Sequence, residues 1–139
     1  MKAGPLASWQ VPNLNGPSLP PHVTDGLRAA ADAEECGERP VSRSIALLHE
    51  SGLLQDDGNA DPIRTARALM QVGAANLSVG RLWEGHVNAL RLIRLYGSAA
   101  LQRTVDARIA KGALLGVWGV DGPVPVTLDA GGTRLEGSK

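Results

Sequence analysis

The sequence predicts a mainly α-helical protein, in which a bundle of about five helices leads into the first short strands of a β-domain. Two observations predict this class. Apolar residues recur at three- and four-residue steps from residue 24 to residue 112, which is the period of amphipathic helices. After residue 112 that period gives way to a continuous apolar run, residues 113–120, which has the length of a buried strand.

These patterns divide the chain into three expected segments. Residues 1–21 hold five of the nine prolines and are expected to be extended or disordered. Residues 22–112 form the helical domain. Residues 113–139 form the start of a β-domain that is cut off, because two or three short strands bury too little apolar area to be stable alone.

The first two helices are indicated by the residues at their ends. Thr24 as N-cap, followed by Asp25, predicts a helix over residues 27–36. A second helix is expected over residues 41–51, where Gly52 is placed to end it.

The third helix is expected to begin at Asp61-Pro62. An aspartate N-cap accepts from free backbone N–H groups, and proline at the first helical position loses no hydrogen bond. Residues 76–78 are expected to separate it from the fourth helix. The predicted apolar face of the third helix comprises Ile63, Ala66, Leu69, Met70 and Gly73.

The fourth helix has the clearest helical period. Its predicted apolar face comprises Val79, Leu82, Trp83, His86, Leu90, Ile93 and Gly97. Gly97 is expected to end it and Ser98 to cap a fifth helix. That helix repeats its apolar residues every four positions, at Leu101, Val105 and Ile109.

Three strands are expected after the helices. The first covers residues 113–120. The second, over residues 124–128, is weakened by Pro125, since proline cannot donate to a strand ladder. The third covers residues 133–136 and follows a turn at Gly131-Gly132.

Composition excludes several classes of partner. Fourteen Lys and Arg residues balance fourteen Asp and Glu residues, so diffuse attraction to nucleic acid or to an anionic membrane is not expected. No uncharged apolar run reaches the length of a membrane-spanning helix. The one cysteine, Cys36, excludes an intramolecular disulfide and suits a reducing compartment, so we expect a cytoplasmic protein.

No catalytic or metal-binding constellation is evident. The imidazoles are His22, His49 and His86, and none stands at a metal-ligand spacing from a carboxylate or from Cys36. We expect His49 to be solvated near a helix C-terminus. His86 shares the apolar face of the fourth helix, so we interpret it as a hydrogen-bonded core histidine, and Cys36 as structural.

Five short motifs, in order and spacing over residues 44–139, resemble the acyl-CoA dehydrogenase family: its N-terminal helical domain and its entry into the middle β-domain. LLHESGLL resembles a helix end with the pattern L-x-E-x-G-L, and LIRLYGS resembles a helix closing in (F/Y)-G-(S/T). AKGALLG resembles the run A-x-G-x-x-x-G that leads into the first strand, and LEGSK resembles the strand L-N-G-x-K. The remaining match is the helix over residues 63–73.

The resemblance implies a flavoprotein oxidoreductase. In this family a glutamate removes the α-proton of an acyl-CoA thioester, FAD accepts a hydride from the β-carbon, and electrons leave through an electron-transferring flavoprotein. Complete members form homo-oligomers. By position, the flavin-contacting segment holds Trp118, Val120 and Asp121, and the region near the acyl chain holds Glu84, Gly85 and Leu90.

Two departures from the family pattern bear on function. Where the family has Thr-Glu-Pro followed by Gly-Ser-Asp, this chain has Asp121-Gly122-Pro123 followed by Val-Pro-Val. A threonine hydroxyl can donate to the flavin ring, whereas an ionised aspartate only accepts. The domain that brings the catalytic glutamate is also missing. We therefore assign no catalytic residue and expect the chain alone to be inactive.

A second class of function stays open. The chain is also interpreted as a non-enzymatic helical interaction module or remnant, in which the apolar faces of the third to fifth helices contact a partner chain. Under either interpretation, exposed apolar patches are expected on the chain.

Overall fold

Helices occupy most of the residues that the structure describes, as the sequence predicts. The computed structural model describes residues 19–117 and 123–138. Within them the α-helices are α1 Pro21–Glu35, α2 Ser42–Glu50, α3 Pro62–Ala75, α4 Leu77–Tyr96 and α5 Ala99–Ile109. A short 3₁₀ turn, Leu53–Gln55, follows α2, and two strands, β1 Thr127–Leu128 and β2 Leu135–Glu136, come last. The mainly helical class is therefore confirmed.

Helix α1 begins earlier than the sequence patterns indicate. Pro21 is its first residue and Pro20 its N-cap. Proline suits this place because its fixed φ is helical and the missing N–H is one that the helix does not use. Thr24 is therefore not the N-cap. It lies in the first turn, where its Oγ1 donates to the carbonyl of Pro21 over 3.0 Å. The expected extended or disordered stretch falls, up to residue 18, outside the described residues.

A single residue joins α3 to α4. Asp61 caps α3 as expected, with its Oδ1 accepting from the backbone N–H of Arg64 over 2.9 Å. At the other end Asn76 donates its backbone N–H to the carbonyl of Val72. The Oδ1 of Asn76 accepts from the N–H of Val79 over 3.1 Å, which caps α4. Asn76 thus ends one helix and begins the next.

The hydrophobic core lies where α4 packs against α1, α3 and the 3₁₀ turn. Trp83 is fully buried, and its indole Nε1 donates to the carbonyl of Leu53 over 3.2 Å. An indole has no other polar atom, so this bond removes the penalty of burying it. The other large side chains that are fully buried include Leu27, Leu48, Leu54 and Leu90.

The buried face of α3 differs from the predicted one. The helix buries Thr65, Ala68, Val72 and Ala75, whereas Met70 is 56% exposed. Small side chains lie inward because α3 packs closely on α4. Of the predicted face, Leu69 packs partly buried against the core and Met70 is left at the surface, so hydrophobicity alone predicts this face only in part.

The strand expected over residues 113–120 is not formed in its described part, residues 113–117, which have no regular structure. A strand requires a partner strand, whereas this segment contacts α4 instead. Leu114 and Leu115 pack against the core, and the backbone N–H of Leu115 donates to His86. Residues 118–120 lie outside the described part.

The other two expected strands form a minimal hairpin. The antiparallel ladder pairs Thr127 with Glu136 and Leu128 with Leu135, so each strand has two residues. The carboxylate of Asp129 accepts from the N–H groups of Thr133 and Arg134, which holds the connecting turn. These backbone hydrogen bonds lower the pKa of Asp129. All four ladder residues are exposed.

Candidate functional site

The six positions implied by the family resemblance do not meet in one described site. Trp118, Val120 and Asp121 lie outside the described residues. The structure describes the three positions implied to lie near an acyl chain, Glu84, Gly85 and Leu90, all on α4.

Those three α4 residues face different surroundings. Glu84 is partly exposed and forms an ion pair with Arg81 one turn earlier. Gly85 faces the segment after α5, since a Cβ placed on it would lie 3.8 Å from Val117. Leu90 is fully buried in the core. Of the three, Glu84 lines a surface groove that an apolar ligand could enter.

That groove lies between α3 and α4 and has a volume of about 350 Å³. We call it the α3–α4 groove; it is lined by Leu69, Met70, Gly73, Leu77, Gly80, Arg81 and Glu84. The side chains of Met70 and Leu77 are 56% and 62% exposed, so the groove presents apolar surface to solvent. Exposed apolar surface in a concave place is typical of a binding site.

Two glycines set the depth of the α3–α4 groove. A Cβ on Gly80 would lie 2.7 Å from the Cα of Gly73, so the two helices approach closely only because Gly80 has no side chain. A Cβ on Gly73 would meet nothing within 4 Å. Gly73 on α3 therefore leaves open space in the groove, and Gly80 on α4 allows the close contact between the two helices.

His86 is a core histidine, in agreement with the sequence interpretation. It is fully buried, its Nε2 lies 2.8 Å from the carbonyl oxygen of Leu54, and its Nδ1 lies 2.9 Å from the backbone nitrogen of Leu115. Because the N–H of Leu115 donates to Nδ1, the ring is the neutral tautomer that donates from Nε2. Burial lowers the pKa of His86, and the bond to Leu54 opposes this in part. Both nitrogens are engaged, so neither is available as a ligand or a base.

His49 is less solvated than the sequence predicts. Its ring packs against Gly112, where a Cβ would lie 3.5 Å from its Cδ2. Its Nδ1 is buried and has no hydrogen-bond partner among the described residues. His49 lies in the last turn of α2 as predicted, but it is half-buried because the chain after α5 turns back over the end of α2, where Gly112 adopts a positive φ of 84°.

A buried polar cluster joins α1, α2 and the α3–α4 junction. The carboxylate of Glu34, 6% exposed, accepts from the hydroxyl of Ser44 over 2.8 and 2.9 Å and from the amide of Asn76 over 2.7 Å. Sequence reasoning missed this cluster. Its three members are far apart in the chain, and polar residues on an Ala-rich helix resemble a solvated face. Since Ser44 and Asn76 both donate to the carboxylate of Glu34, the cluster is structural.

The described residues include no candidate metal centre. No group of three or more His, Cys, Asp or Glu side chains is placed to hold a metal ion in residues 19–117 and 123–138. Residues 113–117, which lead toward the implied flavin segment, contribute no side-chain hydrogen-bond donor. The implied flavin contacts, Trp118, Val120 and Asp121, lie outside the described residues, so the described part does not test a flavin site.

The comparisons with known proteins add no relative. The chain matches no family model, and no curated protein or solved structure is detectably similar to it. None of the helices in the described part is both long and apolar enough to cross a membrane.

Proposed function

We propose that this chain is the N-terminal helical part of an acyl-CoA dehydrogenase-like flavoprotein oxidoreductase, and that its helices form one wall of an acyl pocket. The support comes from the five ordered sequence motifs and from the α3–α4 groove. The complete enzyme carries out α,β-dehydrogenation of an acyl-CoA thioester with FAD, as a homo-oligomer that passes electrons to an electron-transferring flavoprotein. This chain supplies no catalytic base, and alone it is inactive.

The observation that carries the proposal is the apolar character of the α3–α4 groove. An acyl chain placed in it removes the exposed parts of Met70 and Leu77 from water. Burial of apolar surface contributes about 25 cal/mol for each Å² removed from water. Gly73 leaves room for the chain. Glu84 is not a base at this place, because it is paired with Arg81.

The test is a titration followed by ¹H–¹⁵N NMR of the whole chain with octanoyl-CoA, using free coenzyme A as the control. We expect octanoyl-CoA, and not free coenzyme A, to shift the amide signals of Leu69, Met70, Gly73 and Leu77. Gly73→Leu fills the groove and is expected to weaken binding about tenfold, whereas Gly73→Ala leaves most of the space and is the matched control. Equal binding by free coenzyme A, or by the leucine variant, contradicts the proposal.

A second candidate function is a non-enzymatic interaction module. The observation that favours it is a row of exposed apolar side chains along the end of α4 and the start of α5: Leu92, Leu95, Tyr96 and Leu101. Tyr96 is 82% exposed. Apolar surface of this kind is typical of protein interfaces.

The second candidate is tested by sedimentation equilibrium over a range of protein concentrations. Self-association through this face is expected to raise the apparent mass with concentration, and the double variant Leu95→Gln, Tyr96→Gln is expected to restore the monomer. A monomer at every concentration contradicts self-association as the function of this face.

A further inference from the structure

A second concave site lies between α1 and α2. Its volume is about 480 Å³. We call it the α1–α2 cavity; it is lined by His22, Gly26, Ala29, Ala30, Arg39, Arg43, Ser44 and Leu47. No residue of the α3–α4 groove belongs to it. A ligand of this cavity would therefore contact none of the residues that line the proposed acyl pocket.

The apolar part of the α1–α2 cavity is made by small residues of α1 facing Leu47 of α2. A Cβ on Gly26 would lie 2.8 Å from the Cδ1 of Leu47, so the missing side chain lets Leu47 approach α1. Ala29 and Ala30 continue this surface. A surface of this kind favours the apolar part of a ligand.

The charged part of the cavity is basic. Arg39 and Arg43 line it and have no carboxylate within 4.0 Å among the described residues, and no acidic side chain lines it. Arg28 and Arg94 are paired with aspartates, whereas Arg39 and Arg43 line one concave site that has no acidic side chain. Two unpaired guanidinium groups beside an apolar surface favour an anion that carries an apolar group.

The buried cluster behind the cavity limits the charge of that anion. Ser44 lines the cavity and donates its hydroxyl to the carboxylate of Glu34, which lies beneath it. Two guanidinium charges less one carboxylate leave one formal positive charge at this place. A single positive charge favours a monoanion over a dianion such as a phosphate monoester.

We propose that the α1–α2 cavity binds a small monocarboxylate with an apolar tail. The carboxylate pairs with Arg39 and Arg43, and the tail lies over Gly26, Ala29 and Leu47. Guanidinium groups suit a carboxylate because their N–H donors match its two oxygens. His22 stands at the same rim and adds a polar contact.

The test compares three small probes by ¹H–¹⁵N NMR titration of the whole chain. Hexanoate carries both features, acetate lacks the tail, and hexanamide lacks the charge. We expect hexanoate to give saturable shifts of the amide signals of Gly26, Ala29, Ser44 and Leu47, with an affinity about tenfold or more above that of either other probe. Equal affinity for acetate or for hexanamide overturns the proposal.

Arginine variants distinguish binding in the cavity from a general effect of the net charge of the protein. The double variant Arg39→Gln, Arg43→Gln is expected to weaken hexanoate binding about tenfold or more. Arg91→Gln with Arg103→Gln removes the same charge from exposed positions on α4 and α5, and is expected to bind hexanoate as the unmodified chain does. Unchanged binding by the first pair, or an equal loss in the control pair, overturns the proposal.

A third variant keeps the test decisive if loss of the arginines unfolds the chain. Ala29 is exposed on α1, so Ala29→Leu extends into the cavity and not into the core. It is expected to reduce hexanoate affinity about tenfold, while Ala107→Leu at an exposed position of α5 leaves it unchanged. Binding unaffected by the larger side chain at position 29 overturns the proposal.

Discussion

The Nδ1 atom of His86 accepts a hydrogen bond from the backbone N–H of Leu115 over 2.9 Å. This bond ties the middle of α4 to the irregular segment that follows α5. On the other side of the ring, Nε2 is bonded to the carbonyl of Leu54 in the 3₁₀ turn. One neutral imidazole therefore connects three parts of the chain, and it can do so only while Nδ1 carries no proton.

The free energy of unfolding is expected to decrease as the pH is lowered, because of His86. Burial lowers its pKa below the ordinary value of 6.5, so in this range the unfolded chain binds a proton that the folded chain does not. The stability contributed by the neutral His86 is fully present above pH 6.5. It is lost as the pH falls toward the lowered pKa of the folded chain, by up to about 1.4 kcal/mol per pH unit. Urea unfolding between pH 8 and pH 5, about the range in which histidine titrates, measures this.

The control for His86 is the exposed His22. His86→Gln is expected to remove the component of the pH dependence that begins near 6.5, and His22→Gln is expected to retain it. Parallel pH profiles for the unmodified chain and for His86→Gln would contradict this role.

The two glycines of the α3–α4 contact are expected to respond in opposite directions to alanine. Gly73→Ala is expected to stabilise the fold by about 0.5–1 kcal/mol, since its Cβ meets no atom and alanine is the better helix former. Gly80→Ala is expected to destabilise it by about 1–3 kcal/mol, because its Cβ would meet the backbone of Gly73 at 2.7 Å. Urea denaturation measures both, and the same sign of change for both would show that the close contact is absent.

Glu34 and Glu35 are neighbours in sequence and are expected to differ in importance. Glu34→Gln places an amide N–H₂ group against the donors of Ser44 and Asn76, and is expected to lower the free energy of unfolding by about 2–4 kcal/mol. Glu35 is exposed and accepts from the backbone N–H of Leu77, a bond that a glutamine oxygen can also make. Glu35→Gln is therefore expected to change stability by about 0.5 kcal/mol or less. Equal effects of the two substitutions would be evidence against the buried cluster.

The hairpin is expected to open far more easily than the helices. Its ladder has two residues in each strand, all exposed, and an isolated pair of this length is marginal. Hydrogen exchange followed by NMR is expected to show amides of Thr127–Leu128 and Leu135–Glu136 exchanging about a hundredfold or more faster than those of the buried part of α4. Comparable protection in both would mean that the hairpin is stabilised by contacts beyond its own ladder.

Local signals in the sequence are sufficient for some of the helix ends. Asp61 and Ser98 each cap the helix that follows, as predicted, because a short polar side chain acts on the next three residues and needs no tertiary information. Asn76 is predicted only as part of a break over residues 76–78, whereas it caps α4, which begins at Leu77. The helical class and the order of the helices follow from these signals together with the apolar period. The start of α1 differs from the prediction because proline, which disrupts the interior of a helix, is favoured at its first position.

Long-range packing explains what could not be predicted. The buried face of α3 depends on how closely α4 approaches, and the close approach depends on Gly80. The segment over residues 113–117 has the composition of a strand, yet its hydrogen-bond partner is a histidine 29 positions earlier. The Glu34 cluster likewise joins residues separated by up to 42 positions. Such pairings leave no local periodicity to detect.

The joint at Asn76 also constrains how this chain can change in length. Asn76 has an extended backbone and is both the C-cap of α3 and the N-cap of α4. A deletion there would leave both helix ends without their cap, and an insertion would displace α4, with the buried Trp83 and His86, relative to α3. Tolerated insertions are therefore expected at the exposed residues 59 and 60 of the loop before α3, and the junction between the two central helices is the place least tolerant of a change in length.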